Sequence, residues 1–168
     1  MVDSKPSAYA FTFERKVTEI FNFLEVDPKK SLKIVAKEID TRGKKIMKSE
    51  LLMLRVIKGV VLERNLRVSE ASDEIFGVLD EIEKEKILDH FLLDTLSRSV
   101  SRMIHKDAYM ARYQTIIENL VNEYPKDKEL VYSVYEGSLK NNKFSQAAKM
   151  AAKMVNTFDE PSFALNQV

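Results

Sequence analysis

Few residues in this 168-residue chain could do chemistry, and none falls into a catalytic pattern. The two histidines stand alone, His90 between Asp89 and Phe91 on a helix and His105 closing one. A histidine acts as base or ligand only with a nucleophile, an orienting group or further ligands in reach. Neither has them nearby in sequence, so both read as surface or helix-end histidines. The acidic pairs Asp73-Glu74 and Asp80-Glu81 sit among helix-surface residues and lack the spacing of a calcium loop. There is no GxxxxGK[ST] phosphate loop, no GxGxxG after a strand and no HExxH. With no cysteine, a thiol nucleophile, a thiolate metal site and a disulfide framework are excluded. No catalytic residue, no cofactor and no metal site is assigned.

Two groups of cations could instead meet a partner. Arg98, Arg102 and Lys106 recur every four residues, which predicts one ridge on a fifth helix and its end. Lys44, Lys45 and Lys48 cluster with Arg42 at a turn. Such groups could hold an acidic protein surface, a polyphosphate or ribosomal RNA. Solvated helix faces and partners of a helix C-terminal dipole have the same composition, and both readings stay open. Tyr132, Tyr135, Met150 and Met154 fall at packing positions and read as core rather than as a ligand cage.

The net charge of +1 conceals modest zoning. Residues 1–48 carry 11 Lys/Arg against 7 Asp/Glu (+4), residues 49–97 carry 6 against 11 (−5), and residues 98–168 carry 10 against 8 (+2). That is not the field of a nucleic-acid binder, and no specific DNA binding is expected. The first ten residues lack the apolar region of a signal peptide, and no uncharged apolar run approaches a membrane span. The expectation is a soluble cytoplasmic protein.

The elements that position these residues are helices. Apolar residues recur at helical spacing throughout, no stretch alternates with period two, and there are only four Gly and four Pro. Residues 1–11 are expected to be a disordered tail. A first helix should start near an N-cap at Thr12, with Phe13, Val17, Ile20, Phe21 and Leu24 on one face. Asp27-Pro28 stops it, and a second helix with Leu32, Val35, Ala36 and Ile39 inward runs to Gly43. A third, from about Ser49 to Asn65, is apolar over more than half its circumference and should be buried on two sides. Ser69 should cap a fourth, with Ala71, Ile75, Val78, Leu79 and Ile82 inward. The charged Glu81–Lys86 stretch is either an extension or a break. A long fifth helix is expected from Ile87 to Ile104, and a sixth carries Tyr109, Tyr113, Ile116, Ile117, Leu120 and Val121 before Tyr124-Pro125. A hairpin from Val131 to Pro161 turns at Asn141-Asn142-Lys143. It sets Tyr132, Tyr135 and Leu139 on one helix against Ala147, Ala151 and Met154 on the other. Phe163-Ala164-Leu165 should open a ninth apolar segment.

Successive helical hairpins suggest a tetratricopeptide-type repeat with a period near ~34 residues. In that pattern a small or packing residue on the first helix lies twelve residues before an alanine of the second. Gly59 with Ala71 and Tyr135 with Ala147 satisfy the spacing, and Val68 and Phe144 sit three residues before the alanines. Ser101 with Tyr113 fits in register with Pro125, although Tyr113 is large for the slot and Ala108 or Ala111 could replace it. In the first unit Leu32 and Ala36 compete for the slot. Arg55 and Lys58 disturb the first helix of the second unit. The expected fold class is an all-α, right-handed α-solenoid of degenerate tetratricopeptide-like hairpins with about eight helices. A plain bundle or a HEAT-like stack would share much of this periodicity.

The helix Arg15–Val26 (RKVTEIFNFLEV), the KKSLKIVAKEID helix behind it, the SRMIHK turn and the AAKMAAKMVN helix followed by Pro161 and Phe163 carry a resemblance. With them the chain resembles the N-terminal part of the auxiliary subunit of the N-terminal acetyltransferase B complex. The resemblance covers most of residues 14–165 as a diffuse pattern. It implies a non-catalytic, ribosome-associated solenoid that wraps a separate acetyltransferase chain acting on nascent Met-Asp, Met-Glu, Met-Asn or Met-Gln termini. The acyl-CoA pyrophosphate loop (Q/R-x-x-G-x-G/A) would belong to that partner, and it is absent here. The resemblance also implies that residues 12–168 are the first part of a longer helical-repeat domain. The alternative is a tetratricopeptide-like adaptor that binds peptides in another pathway.

Overall fold

The structure, a computed structural model, describes residues 8–158 and the side chains of 15–156. Among them eight α-helices follow one another and there are no strands: α1 (Ala8–Leu24), α2 (Pro28–Arg42), α3 (Lys48–Arg64), α4 (Val68–Glu85), α5 (His90–Val100), α6 (Lys106–Glu123), α7 (Lys128–Lys140) and α8 (Phe144–Phe158). The chain is all-α, as its periodicity predicts. Residues 1–7 of the expected tail, Pro161 and the Phe163–Leu165 segment lie outside the described residues.

Helix ends follow local chemistry. Asp27 caps α2 by accepting the Lys30 N–H at 3.1 Å, with Pro28 at the first helical position. Asp127 caps α7 by accepting the Leu130 N–H at 2.9 Å. Three helices stop on a residue with left-handed backbone: Leu66 (φ 61°), Lys86 (φ 51°) and Asn142 (φ 59°). Beyond each, an N–H reaches back into the last turn: Arg67 to the Leu62 carbonyl, Ile87 to Ile82 and Lys143 to Ser138. This is the six-to-one closure of a Schellman motif, formed here without glycine.

Several boundaries differ from those the sequence suggests. α1 starts at Ala8, so Thr12 lies in its second turn, and Ala8 and Ala10 are strong helix formers. Ser69 falls inside the first turn of α4 rather than capping it. The closure at Leu66–Arg67 ends α3 so tightly that α4 can begin at Val68. The charged stretch after Asp80 is a helix extension as far as Glu85. The fifth helix is short, eleven residues from His90 to Val100, and Ile104 is exposed beyond it.

The Cα framework divides into two compact units, 1–78 with 91–106 and 79–90 with 107–168. In the first, α1 packs on α2 and α2 on α3. Ile20, Leu24, Val35, Ile57 and Val61 form a buried cluster there, and the Ser31 hydroxyl donates to the Ile20 carbonyl at 2.8 Å. α3 is buried over most of its circumference, from Ser49 and Leu52 through Leu62, as its unbroken apolar run predicts. In the second unit α7 packs on α8. The buried face of α7 is Leu130, Val131, Val134, Tyr135 and Ser138. Tyr132 and Leu139, expected inward, lie at its edge, and Leu139 is 39% exposed. Phe21 likewise is 43% exposed rather than inward on α1. Ala147 and Met154 are buried on α8 as expected.

The repeat is longer than the ~34 residues of the tetratricopeptide pattern. The second helix of each hairpin starts at residue 28, 68, 106 and 144, a period of 38 to 40. The fourth residue of each is Ser31, Ala71, Tyr109 and Ala147, and all four are buried. Gly59–Ala71 and Tyr135–Ala147 therefore hold. Ser101–Tyr113 does not, because Ser101 lies past the end of α5 and is exposed. Tyr109 takes the slot in the third unit and Ser31 in the first, so neither Ala108, Ala111, Leu32 nor Ala36 fills it.

Candidate partner-binding surfaces

Arg55 and Lys58 sit three apart on the otherwise apolar helix α3 and are only half-buried. Both reach Glu74 on α4, Arg55 Nε at 3.1 Å from one carboxylate oxygen and Lys58 Nζ at 3.2 Å from the other. Gly77 on α4 makes room: a Cβ there would stand 2.6 Å from the Arg55 Nη2. With Leu32 and Ala36 of α2 on the far wall, these side chains line a cleft of about 450 Å³ in the first unit. Arg55, Lys58 and Arg67 face Glu70, Asp73 and Glu74 in its lining, so the charges of the cleft balance. Asp73 lies at the margin and forms no ion pair among the described residues. The signal for this site was legible as two cations at i, i+3 in an apolar run, which the sequence reading took only as a flaw in the repeat.

The expected basic ridge is broken by the fold. Arg98 lies on α5 and pairs with Asp94 at 3.0 Å, Arg102 lies in the following turn, and Lys106 opens α6. α5 ends because the Ser101 hydroxyl donates to the Arg98 carbonyl at 2.8 Å and Met103 is buried in the turn. The Ile104 N–H is also drawn to the Glu63 carboxylate of α3, at 3.1 and 3.2 Å. Arg102 and Lys106 thus share a turn, while Arg98 belongs to the helix before it. In the second group, Lys44 and Lys45 are exposed after α2 and Lys48 opens α3. Arg42 turns back to pair with Glu38 at 2.9 Å and leaves that cluster.

His90 has a structural setting, between Asp127 (Nε2 to Oδ2, 2.9 Å) and Glu129 (Nδ1 to Oε2, 3.2 Å) at the start of α7. His105 is exposed in the α5–α6 turn. Asp80 and Glu83 are bridged by Arg112 at 3.3 and 2.7 Å. Tyr132 stacks on Tyr135 with centroids 6.4 Å apart and donates its hydroxyl to Glu136 at 3.0 Å. That hydrogen bond and partial burial hold its phenol above the ordinary tyrosine range. Among the described residues, no three of His, Asp and Glu are placed to hold a metal ion, and no helix is long and apolar enough to cross a membrane.

A family model described as Psidin, N-terminal TPR repeats region, matches residues 14–168. The chain belongs to that family. No curated protein and no solved structure matches it. The membership accounts for the small or buried fourth residue of each second helix. It also accounts for the Gly59 contact, where α3 meets Ala71 and Ile75 of α4. TPR units are protein-interaction modules, and the fold is that of an adaptor.

Proposed function

We propose that this chain is a non-catalytic auxiliary element of a type-B N-terminal acetyltransferase, acting in the cytoplasm. It holds a separate catalytic chain that transfers acetyl from acetyl-CoA to nascent Met-Asp, Met-Glu, Met-Asn or Met-Gln termini. The observation that carries the reading is the TPR family membership over residues 14–168. The resemblance through Arg15–Val26, the SRMIHK turn and the AAKMAAKMVN helix supplies the particular complex. Lys44, Lys45, Lys48, Arg98, Arg102 and Lys106, all exposed, are its proposed contacts with the acidic surface of the partner or with the ribosome.

Co-expression with the catalytic chain of a type-B enzyme, followed by size-exclusion chromatography and peptide acetylation, tests the proposal. A one-to-one complex that acetylates Met-Asp peptides faster than the catalytic chain alone is expected. Separate elution with unchanged acetylation refutes it. Arg98→Glu with Arg102→Glu should then weaken the complex or ribosome co-sedimentation without lowering the melting temperature.

A second reading, a TPR adaptor for peptides of another pathway, is favoured by the charged Arg55–Lys58 cleft. Selection from a peptide library of one linear motif, with binding lost in Lys58→Glu, would support it over the first.

A further inference from the structure

Three inter-helix turns of the first unit are tied into one edge. The Asn65 side-chain amide donates to the Pro28 carbonyl at 2.9 Å, and Arg64 pairs with Glu25 at 3.2 Å, which joins the α3–α4 turn to the α1–α2 turn. Glu63, the penultimate residue of α3, accepts the Ile104 N–H and so holds the α5–α6 turn as well. The residue two positions before the second helix of each hairpin is Val26, Leu66 and Ile104 in these turns. Each is aliphatic, and each is largely in solvent: 83%, 88% and 65% exposed.

The backbone gives a second, independent reason to see a site. Leu66 is held at φ 61°, a left-handed conformation that a γ-branched residue adopts at a cost. In the second unit the same slot, again left-handed at φ 59°, is filled by Asn142, a residue that tolerates it. A leucine that packs against nothing in the fold, kept where asparagine or glycine would be easier, points to a contact outside it.

We propose that this edge docks an amphipathic helix of a protein partner, one apolar residue over each of Val26, Leu66 and Ile104. Packed helices lie about 8–10 Å apart, so neighbouring turns are spaced on the order of 10 Å. Residues seven apart on a helix rise about 10.5 Å on one face, so the occupant carries apolar residues at heptad spacing. Charge sets the chemistry of its ends. Arg64 is neutralised by Glu25 and Arg67 by Glu70, whereas Lys29 and Lys30 beyond Val26, and Arg102 and Lys106 flanking Ile104, form no ion pair among the described residues. The partner helix therefore carries carboxylates at both ends. The proposal does not depend on the acetyltransferase reading.

The test uses the 168-residue chain and a fluorescein-labelled helical peptide of three heptads, with leucine at one position per heptad and glutamates in its first and last turns. Fluorescence anisotropy should show saturable binding, weakened roughly tenfold or more by Leu66→Asn and by Ile104→Glu. Leu66→Asn suits the left-handed backbone, so folding is preserved while the apolar contact is lost. Phe91→Glu, at the opposite end of α5 and 63% exposed, should leave binding unchanged. Equal binding of a peptide with the same leucines scattered over all faces would overturn the proposal, as would equal loss in Phe91→Glu. A concentration-dependent dimer in sedimentation equilibrium, abolished by Leu66→Asn, would overturn it too, by assigning the edge to a second copy of the chain.

Discussion

Gly59 of α3 lies against Ala71 and Ile75 of α4, and Gly59→Ala puts opposing effects against each other there. In a helix interior the change to alanine is worth about 1 kcal/mol in favour of folding. Against it, the new methyl would stand 2.7 Å from Ile75 Cδ1 and 3.0 Å from Cγ1, with the Ala71 carbonyl at 3.6 Å. Ile75 is fully buried, so its terminal methyl has no open space to move into. Overpacking of this kind costs about 1–3 kcal/mol, and the net effect should be a loss of about 0–2 kcal/mol. A double-mutant cycle separates the two effects. Ile75→Val alone should cost about 0.5–1.5 kcal/mol, because it deletes the buried Cδ1. In that background the 2.7 Å contact is gone, so adding Gly59→Ala should be neutral or stabilising, with a coupling of about 1 kcal/mol or more. Urea denaturation followed by circular dichroism measures all four proteins. If Gly59→Ala alone gains the full helix-propensity increment, with no coupling to Ile75→Val, the approach of α3 to α4 does not require glycine and the reasoning fails.

Other perturbations test the remaining parts of the fold. Ala147→Leu should cost about 1–3 kcal/mol in urea unfolding, because Ala147 is buried in the packing slot of α8. Asp127→Ala removes the cap of α7 and a partner of His90, and should cost about 0.5–2 kcal/mol by the same measurement. Leu66→Gly should stabilise the chain by about 0.5–1 kcal/mol, as relief of the left-handed strain outweighs the added freedom of the unfolded chain. The Glu70 carboxyl is lowered below the ordinary carboxylate range by its hydrogen bond from Arg67. Its contribution to stability is therefore present above the unfolded pKa and lost as pH falls through the lowered folded value. NMR titration of the Glu70 side chain should show the low value, and Arg67→Met should return it to the ordinary range.

The helical class was legible because burial on one face imposes the 3.6-residue period, and α3, α4, α6 and α8 keep their apolar faces as read. What escaped the sequence is set at a distance. α5 is cut short partly by Glu63, whose carboxylate takes up the Ile104 N–H from 41 residues away. A linear pattern through Ile87–Ile104 cannot contain that information. Ser69 has the chemistry of a cap, but the tight closure of α3 at Leu66 moves the start of α4 to Val68 ahead of it. Tyr109 escapes a register anchored on Pro125, which sets the third unit at Ser101–Tyr113, about one helical turn late, and Ser31 escapes because a serine carries no apolar signal. Their burial marks the slot more clearly than their size does, since a serine hydroxyl can be satisfied by the Ile20 carbonyl across the helix pair. The Arg55–Lys58 cleft escaped for the opposite reason. Arg55 and Lys58 broke an apolar rule and were read as noise, although a half-buried cation in an otherwise apolar helix must have a partner, here Glu74.

The two expectations for Leu66 bear on each other. Leu66→Gly should make the chain more stable, and by the docking argument it should make it bind less well. Proteins need only remain above the threshold for folding, so a residue that costs stability can be carried where it makes a contact. The fourth hairpin supplies the internal comparison. Asn142 occupies the equivalent left-handed slot, so the turn geometry itself does not require a leucine. The Schellman closure, with Arg67 bonded to the Leu62 carbonyl at 2.9 Å, fixes the direction in which the Leu66 side chain leaves the backbone. The strain and the exposure are thus two consequences of one choice of residue at one position. Leu66→Asn should separate them, keeping the turn and removing the contact.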